Sequence, residues 1–261
     1  MVKPDKRDLA EKIFEGTKVQ ITSEGRRYLG GALRSQTFVE TFMANKVADW
    51  SAEVQRLAKF AATQPHAAHA AFTHGLLSRW IYTLRVTNPL KENVLQPLED
   101  AIAQKLLPSL TGQTALNANI RALLALPVKL GGMGVVNPTT LPKVQHQRSI
   151  TLTRPLTLLI DRQEIHTDMA TARKDQATIR KVLKRESRVE RQANADQVIR
   201  SLPAKTQRCA QAAQEKGVSS WLSAVPVKDL GFALHKRAFR DAIALRYGWQ
   251  LHFGTVTLSL W

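Results

Sequence analysis

The chain has 261 residues, 44% hydrophobic and 23% charged, with 38 Lys and Arg against 21 Asp and Glu for a formal net charge of +17. That length can bury a real core in one large or two small domains, and such a charge repels copies of the chain while attracting polyanions, nucleic acid foremost. The single cysteine, Cys209, excludes an internal disulfide and a paired-cysteine zinc site, and no run of about 18 apolar residues offers a membrane span.

The first residues, MVKPDKRDLAEK, are charged and have no apolar h-region, unlike a signal peptide; an intracellular protein, nuclear or cytoplasmic, is expected. Asp5 to Glu15 reads as a short helix capped by Asp5 and closed by Gly16, with Leu9, Ile13 and Phe14 at helical spacing. Thr17 to Thr22 (TKVQIT) alternates apolar and polar residues and is rich in β-branched side chains, which predicts a strand. Ser23-Glu24-Gly25 is then a turn, and Arg26 to Leu33 returns as the second strand of a hairpin.

From Ser35, the expected N-cap, the pattern becomes helical. Phe38, Phe42, Val47, Trp50, Val54, Leu57 and Ala61 fall on one face. Pro65 opens an alanine-rich helix, PHAAHAAFTHGLLSRWIYTLR, expected to be the most buried. Pro89 and Pro97 punctuate a third helix carrying Leu95, Leu98, Ile102 and Leu106, ended by Pro108 to Gly112. NANIRALLAL is a fourth, stopped before Pro127. Val128 to Pro138 (VKLGGMGVVNP) is too glycine-rich for a helix and reads as extended or as a hairpin. A long charged helix follows from Asp168 to about Leu202, then one from Pro203 to Lys216 ended by Gly217. Leu230 to Tyr247 is the last, with Phe232, Leu234, Phe239, Ile243 and Leu245 as its apolar set. The fold class expected is mainly α, with one small N-terminal hairpin.

The chemistry-bearing signals are few. Thr171 to Arg191 holds eight bases (Arg173, Lys174, Arg180, Lys181, Lys184, Arg185, Arg188 and Arg191) and three acids. Ile179, Val182, Leu183 and Val189 read as a narrow apolar stripe, with bases over the rest. Such a helix is either a solvated surface or a face that tracks phosphates by releasing counterions. His66 and His69 share a helix face, but no Cys, Asp or Glu completes a metal set nearby, so packing or hydrogen bonding is the better expectation. Neither glycine cluster, YLGG or LGGMG, is followed by the helix or the Gly-Lys-Ser/Thr that a nucleotide cradle requires. There is no Gly-x-Ser-x-Gly elbow and no adjacent Asp-Asp pair.

GRRYLGGALRSQTFVETFMANKVADW resembles the junction of palm and thumb in retroelement reverse transcriptases, where a Tyr-Leu-Gly hairpin, the primer grip, follows the catalytic strand. QPHAAHAAFTHGLLSRWIYTLR, LLALPVKLGGMGVVNP and SSWLSAVPVKDLGFALHKRAFRDAIALRYGW are similar to the region downstream in retrotransposon polymerases. The resemblance covers about Gly16 to Trp249. It implies a palm remnant with the primer grip over 1–34, a thumb-like helical domain over 35–112, a helical connection region with the basic helix over 113–250 and a divergent tail over 251–261. It also implies contact with RNA or DNA primer–template through Arg26, Arg27, Tyr28, Gly30 and Gly31, the glycines allowing close backbone approach, with the eight bases of the long helix adding affinity.

The family's aromatic-x-Asp-Asp strand and its partner Asp are absent here, and those carboxylates hold the two metal ions of nucleotidyl transfer. The expectation is therefore a truncated, catalytically inactive chain whose missing partner is the palm and fingers of the parent polymerase. No cofactor is expected, two Mg2+ ions belonging only to a full-length polymerase. A sequence-tolerant, non-enzymatic RNA- or DNA-binding protein, or a non-functional remnant, fits the same residues.

Overall fold

The computed structural model describes residues 1–87, 93–114, 116–162 and 169–251. The expectations placed on Pro89, on Asp168 and on the tail from His252 lie outside them. The chain is mainly helical with one two-stranded antiparallel sheet, as the sequence predicts. It forms two compact units, each assembled from three stretches: Met1–Ser51, Arg79–Leu98 and Pro138–Leu183 in one, Ala52–Ser78, Glu99–Asn137 and Lys184–Trp261 in the other. The sequence reading divides the chain serially instead.

The first unit starts with a 3-10 turn, Pro4–Lys6, and helix α1, Arg7–Ile13. Asp5 lies inside the 3-10 turn rather than capping the helix. The hairpin is present but displaced. Its strands are β1, Gly25–Tyr28, and β2, Gly31–Arg34, with Tyr28 opposite Gly31. Thr17 to Thr22 is not a strand. The reversal falls on Leu29 and Gly30, whose φ values of 44° and 80° give the two-residue loop the signature of a type I′ turn, whose twist matches that of the flanking strands.

Ser35 caps the next helix as expected, its Oγ accepting from the Phe38 amide at 3.2 Å. Helix α2, Gln36–Ala61, sends Phe42, Met43, Val47 and Trp50 into the core of the first unit, and Trp50 lies 6.0 Å from Trp80 between ring centroids. Trp80 is on α4, Leu77–Val86. Helix α8, Pro142–Arg162, runs through Pro155, and Gln145 on it accepts from Arg85 Nε at 3.1 Å.

The second unit opens with the end of α2 and with α3, Pro65–Ala70, which runs through a π-helical turn, Ala71–Leu76. The helix begun at Pro65 is buried at Pro65, His66, Ala68, His69 and Phe72, but exposes His74, Ser78 and Tyr82 further on. Helix α5, Gln96–Ala101, continues through a second π-helical turn, Ile102–Leu106, into α6, Leu107–Thr111. Pro108 thus lies inside a continuous helix, just after the π-helical turn whose altered hydrogen bonding accommodates its missing N–H, and Gly112 alone, at φ 78°, ends the helix. Helix α7, Ala118–Ala125, is capped by Asn117, whose side chain accepts from the Ile120 amide.

The Val128–Pro138 segment contains no strand. After a 3-10 turn, Val128–Leu130, it folds back on the end of α7. There Met133 and Val135 donate to the Leu124 carbonyl, and Gly134 donates to that of Leu126. A Cβ at Gly132 would stand 2.0 Å from the Leu126 carbonyl oxygen, so only glycine fits.

Helix α9 is Met169–Arg200, α10 is Ala204–Ala212, α11 is Ser220–Ser223 and α12 is Lys236–Tyr247. The last helix is shorter than predicted. Gly231 at φ 71° and the His235 cap exclude Leu230 to Leu234 from it. Phe232 and Leu245 are exposed, whereas Phe239, Ile243 and Tyr247 are fully buried, and α12 packs on α3, α6 and α10.

Two buried arginines hold this unit together. Arg121 on α7 makes a bidentate pair with Glu99 on α5 and also donates to the Val135 and Val136 carbonyls. Arg246 on α12 donates to the Val128 and Gly132 carbonyls and to the Ser219 hydroxyl.

Candidate nucleic-acid interface

An α-helix advances about 100° per residue. On that wheel Arg173, Lys174, Arg180, Lys181, Lys184, Arg185, Arg188 and Arg191 fall within an arc of about 140°. All eight are exposed, and among the described residues none takes part in an ion pair. Asp175, Glu186 and Glu190 lie outside the arc. The bases therefore do not cover everything beyond an apolar stripe; they are confined to one side, over a rise of roughly 27 Å.

The predicted stripe also needs correcting. Val182 and Val189 are 50% and 64% exposed. The buried positions in this part of the helix are Ala172 and Ser187, with Gln176, Ile179 and Leu183 half-buried between them. Small residues suit a close helix contact, and the exposed valines sit beside the basic arc rather than opposite it.

The hairpin brings Arg26, Arg27, Tyr28, Gly30 and Gly31 together in two short strands and their turn. Arg26, Arg27 and Tyr28 are exposed. The Arg27 guanidinium lies 5.7 Å from the centre of the Phe42 ring and Lys46 Nζ lies 5.9 Å from it. That ring anchors both cations at the foot of the hairpin by cation–π attraction.

The glycines have neighbours from within the protein. A Cβ at Gly30 would stand 2.9 Å from Tyr82 Cε1, and one at Gly31 would stand 3.0 Å from Val86 Cγ2. The Tyr82 hydroxyl donates to the Leu29 carbonyl. At Gly31, which is buried, the close approach that the sequence reading reserved for a polynucleotide is made by α4. Tyr82 is the residue that sequence reasoning missed here; it stands 53 positions from Leu29, and no spacing rule links the two.

His66 and His69 are buried. His69 Nε2 lies 2.7 Å from the Met133 carbonyl oxygen, His66 Nδ1 accepts from the Leu234 amide, and the His66 ring stacks on Phe239 at 5.3 Å. Burial lowers the pKa of both, that of His69 to about 4. Among the described residues no group of three or more His, Cys, Asp and Glu is placed to hold a metal ion. Among the same residues no helix is long and apolar enough to cross a membrane.

No protein-family model, curated protein or solved structure matches this chain.

Proposed function

We propose that this chain binds the sugar–phosphate backbone of RNA or DNA with little sequence preference, using α9 as its principal contact. The observation that carries the reading is the arc of eight exposed bases on one side of that helix. Lys and Arg held at helical spacing neutralise successive phosphates and release condensed counterions, which drives binding without reading bases. Arg26, Arg27 and Tyr28 on the hairpin form a second contact: two cations for phosphate and an aromatic face for a base or sugar.

The resemblance of YLGG and the three downstream blocks to retroelement reverse transcriptases supports a primer–template duplex as the ligand. With no aromatic-x-Asp-Asp strand in its sequence, the chain contributes binding rather than nucleotidyl transfer. The test is the affinity of the purified protein for labelled single strands and duplexes of unrelated sequence between about 50 and 200 mM salt. A steep linear fall of log K with log salt, similar for unrelated sequences, is expected. Absence of binding at the lowest salt, or an affinity indifferent to salt, overturns the reading.

A further inference from the structure

A second basic site lies within one unit and uses none of the residues just described. A cavity of about 650 Å³ is lined by Thr63 and Gln64 beyond the end of α2 and by Lys236, Arg237, Arg240 and Asp241 on α12. Three cations face a single carboxylate. Asp241 lies 3.6 Å from Arg237, so its charge is engaged by that arginine, and Lys236 and Arg240 have no carboxylate partner among the described residues. Arg240 is fixed by one donation to the Ser109 carbonyl at 2.6 Å, while its buried Nε has no hydrogen-bond acceptor. A guanidinium stays charged in proteins and offers only donors, so this Nε–H is a donor available to an acceptor oxygen in the cavity. The end of the helix is not what makes the site, because the His235 ring already accepts from the Ala238 amide.

We propose that this cavity binds a phosphate monoester carried on an organic body. At neutral pH such a group carries between about one and a half and two negative charges and three strong acceptor oxygens. That matches the uncompensated pair, and an arginine beside a lysine suits phosphate oxygens. The cavity is far larger than one phosphate and falls in the range of small-ligand sites. Thr63 and Gln64 supply a hydroxyl and an amide for a polar body such as a sugar. The monoester is either a free nucleotide or the 5′ end of a strand.

Equilibrium dialysis of the full chain against labelled 5′-AMP, with adenosine and inorganic phosphate as competitors, tests the site. AMP should bind, with adenosine competing at least about tenfold more weakly, since each charge-assisted hydrogen bond is worth about that factor. Lys236→Gln, at an exposed position outside the core, should weaken AMP by about tenfold, and Arg240→Gln by at least as much. The α9 variant R180E/K184E/R188E should leave AMP binding unchanged, which separates this site from the backbone-binding face. A trinucleotide with a 5′ phosphate that outcompetes AMP assigns the site to strand ends, and one that competes less well assigns it to free nucleotides. Equal affinity for adenosine and AMP, no AMP binding, a Lys236→Gln variant indistinguishable from the parent, or loss of AMP binding in the α9 variant overturns the proposal.

Discussion

The Tyr82 hydroxyl donates to the Leu29 carbonyl at 2.5 Å, so the tip of the hairpin is held by a side chain of α4. Leu29 itself has φ 44°, a region that a leucine enters only when its surroundings impose it. Tyr82→Phe should cost about 1 kcal/mol in a denaturant melt, the net worth of one hydrogen bond. Gly30→Ala should cost more, about 1–3 kcal/mol, because it combines a left-handed φ with a Cβ 2.9 Å from the Tyr82 ring. Leu29→Asn should raise stability, since asparagine accepts positive φ at type I′ turns and little packing is lost from a side chain 73% exposed. A melt in which Leu29→Asn destabilises the protein would contradict the turn assignment.

The asymmetry of α9 makes a sharper prediction than its net charge does. Reversing Arg180, Lys184 and Arg188 to glutamate should lower affinity for polynucleotides and reduce the magnitude of the log K against log salt slope by about 3, one for each phosphate no longer neutralised. Glu186→Lys adds a positive charge outside the arc and should change the slope little. Glu186→Lys changes the net charge by a third as much as the triple reversal does, so if it strengthens binding by about a third of what the reversal removes, overall charge rather than a face is responsible. Far-ultraviolet circular dichroism should remain that of the parent in both variants, since none of the four side chains is buried.

What the sequence made legible divides along physical lines. The Ser35 cap and apolar periodicity located α2, and the stop at Pro127 bounded α7, because Ser35 satisfies an orphan amide and both helices bury an ordinary apolar face; the Asn117 cap of α7 was not read. The hairpin was legible as an element but not in register. TKVQIT has strand composition, yet the pairing is decided by the turn that Leu29 and Gly30 form, which moves the strands onto GRRY and GALR. Between Thr171 and Arg191 on α9 the buried positions are Ala172 and Ser187, Ile179 and Leu183 are half-buried, and Val182 and Val189 face water, so hydropathy found only half of the stripe. The basic arc, by contrast, was written in the spacing of eight residues and could have been drawn on a helical wheel. Arg121 and Arg246 are charged residues in the core of their unit, and no hydropathy pattern predicts a buried cation that is held by carbonyls.

His69 links stability to pH. Its folded pKa is about 4, below the ordinary 6.5, because burial disfavours the imidazolium. The neutral ring is therefore the form the fold accommodates. The stabilisation tied to that shift is fully present above about pH 6.5 and is lost as pH falls toward 4, amounting to about 3 kcal/mol across the window. His66 is displaced in the same direction by the same cause and adds to the loss. Urea melts at pH 7 and pH 4.5 should show a smaller stability at the lower value. His69→Gln should be less stable at pH 7 but should lose less between the two. An equal loss in the variant would place the acid sensitivity elsewhere.

The Glu99–Arg121 pair sets up a contrast between breaking and replacing. Nε and one terminal nitrogen of Arg121 reach the two carboxylate oxygens at 2.6 and 2.8 Å, and the two side chains are 9% and 10% exposed. A pair this enclosed has left water on both sides, and its attraction offsets that cost only while both partners remain. Glu99→Leu alone strands the guanidinium and should cost about 3–5 kcal/mol. Arg121→Met should cost at least as much, since it also removes the donor to the Val135 carbonyl at 2.7 Å and loosens the Val128–Pro138 segment. The double variant Glu99→Leu/Arg121→Met should recover part of the stability that Glu99→Leu removes, because no charge is left buried. Denaturant melts of the two single variants and the double measure the coupling. Additive effects would mean that the pair acts as two independent residues, and full recovery would mean that the carbonyl hydrogen bonds of Arg121 carry no weight.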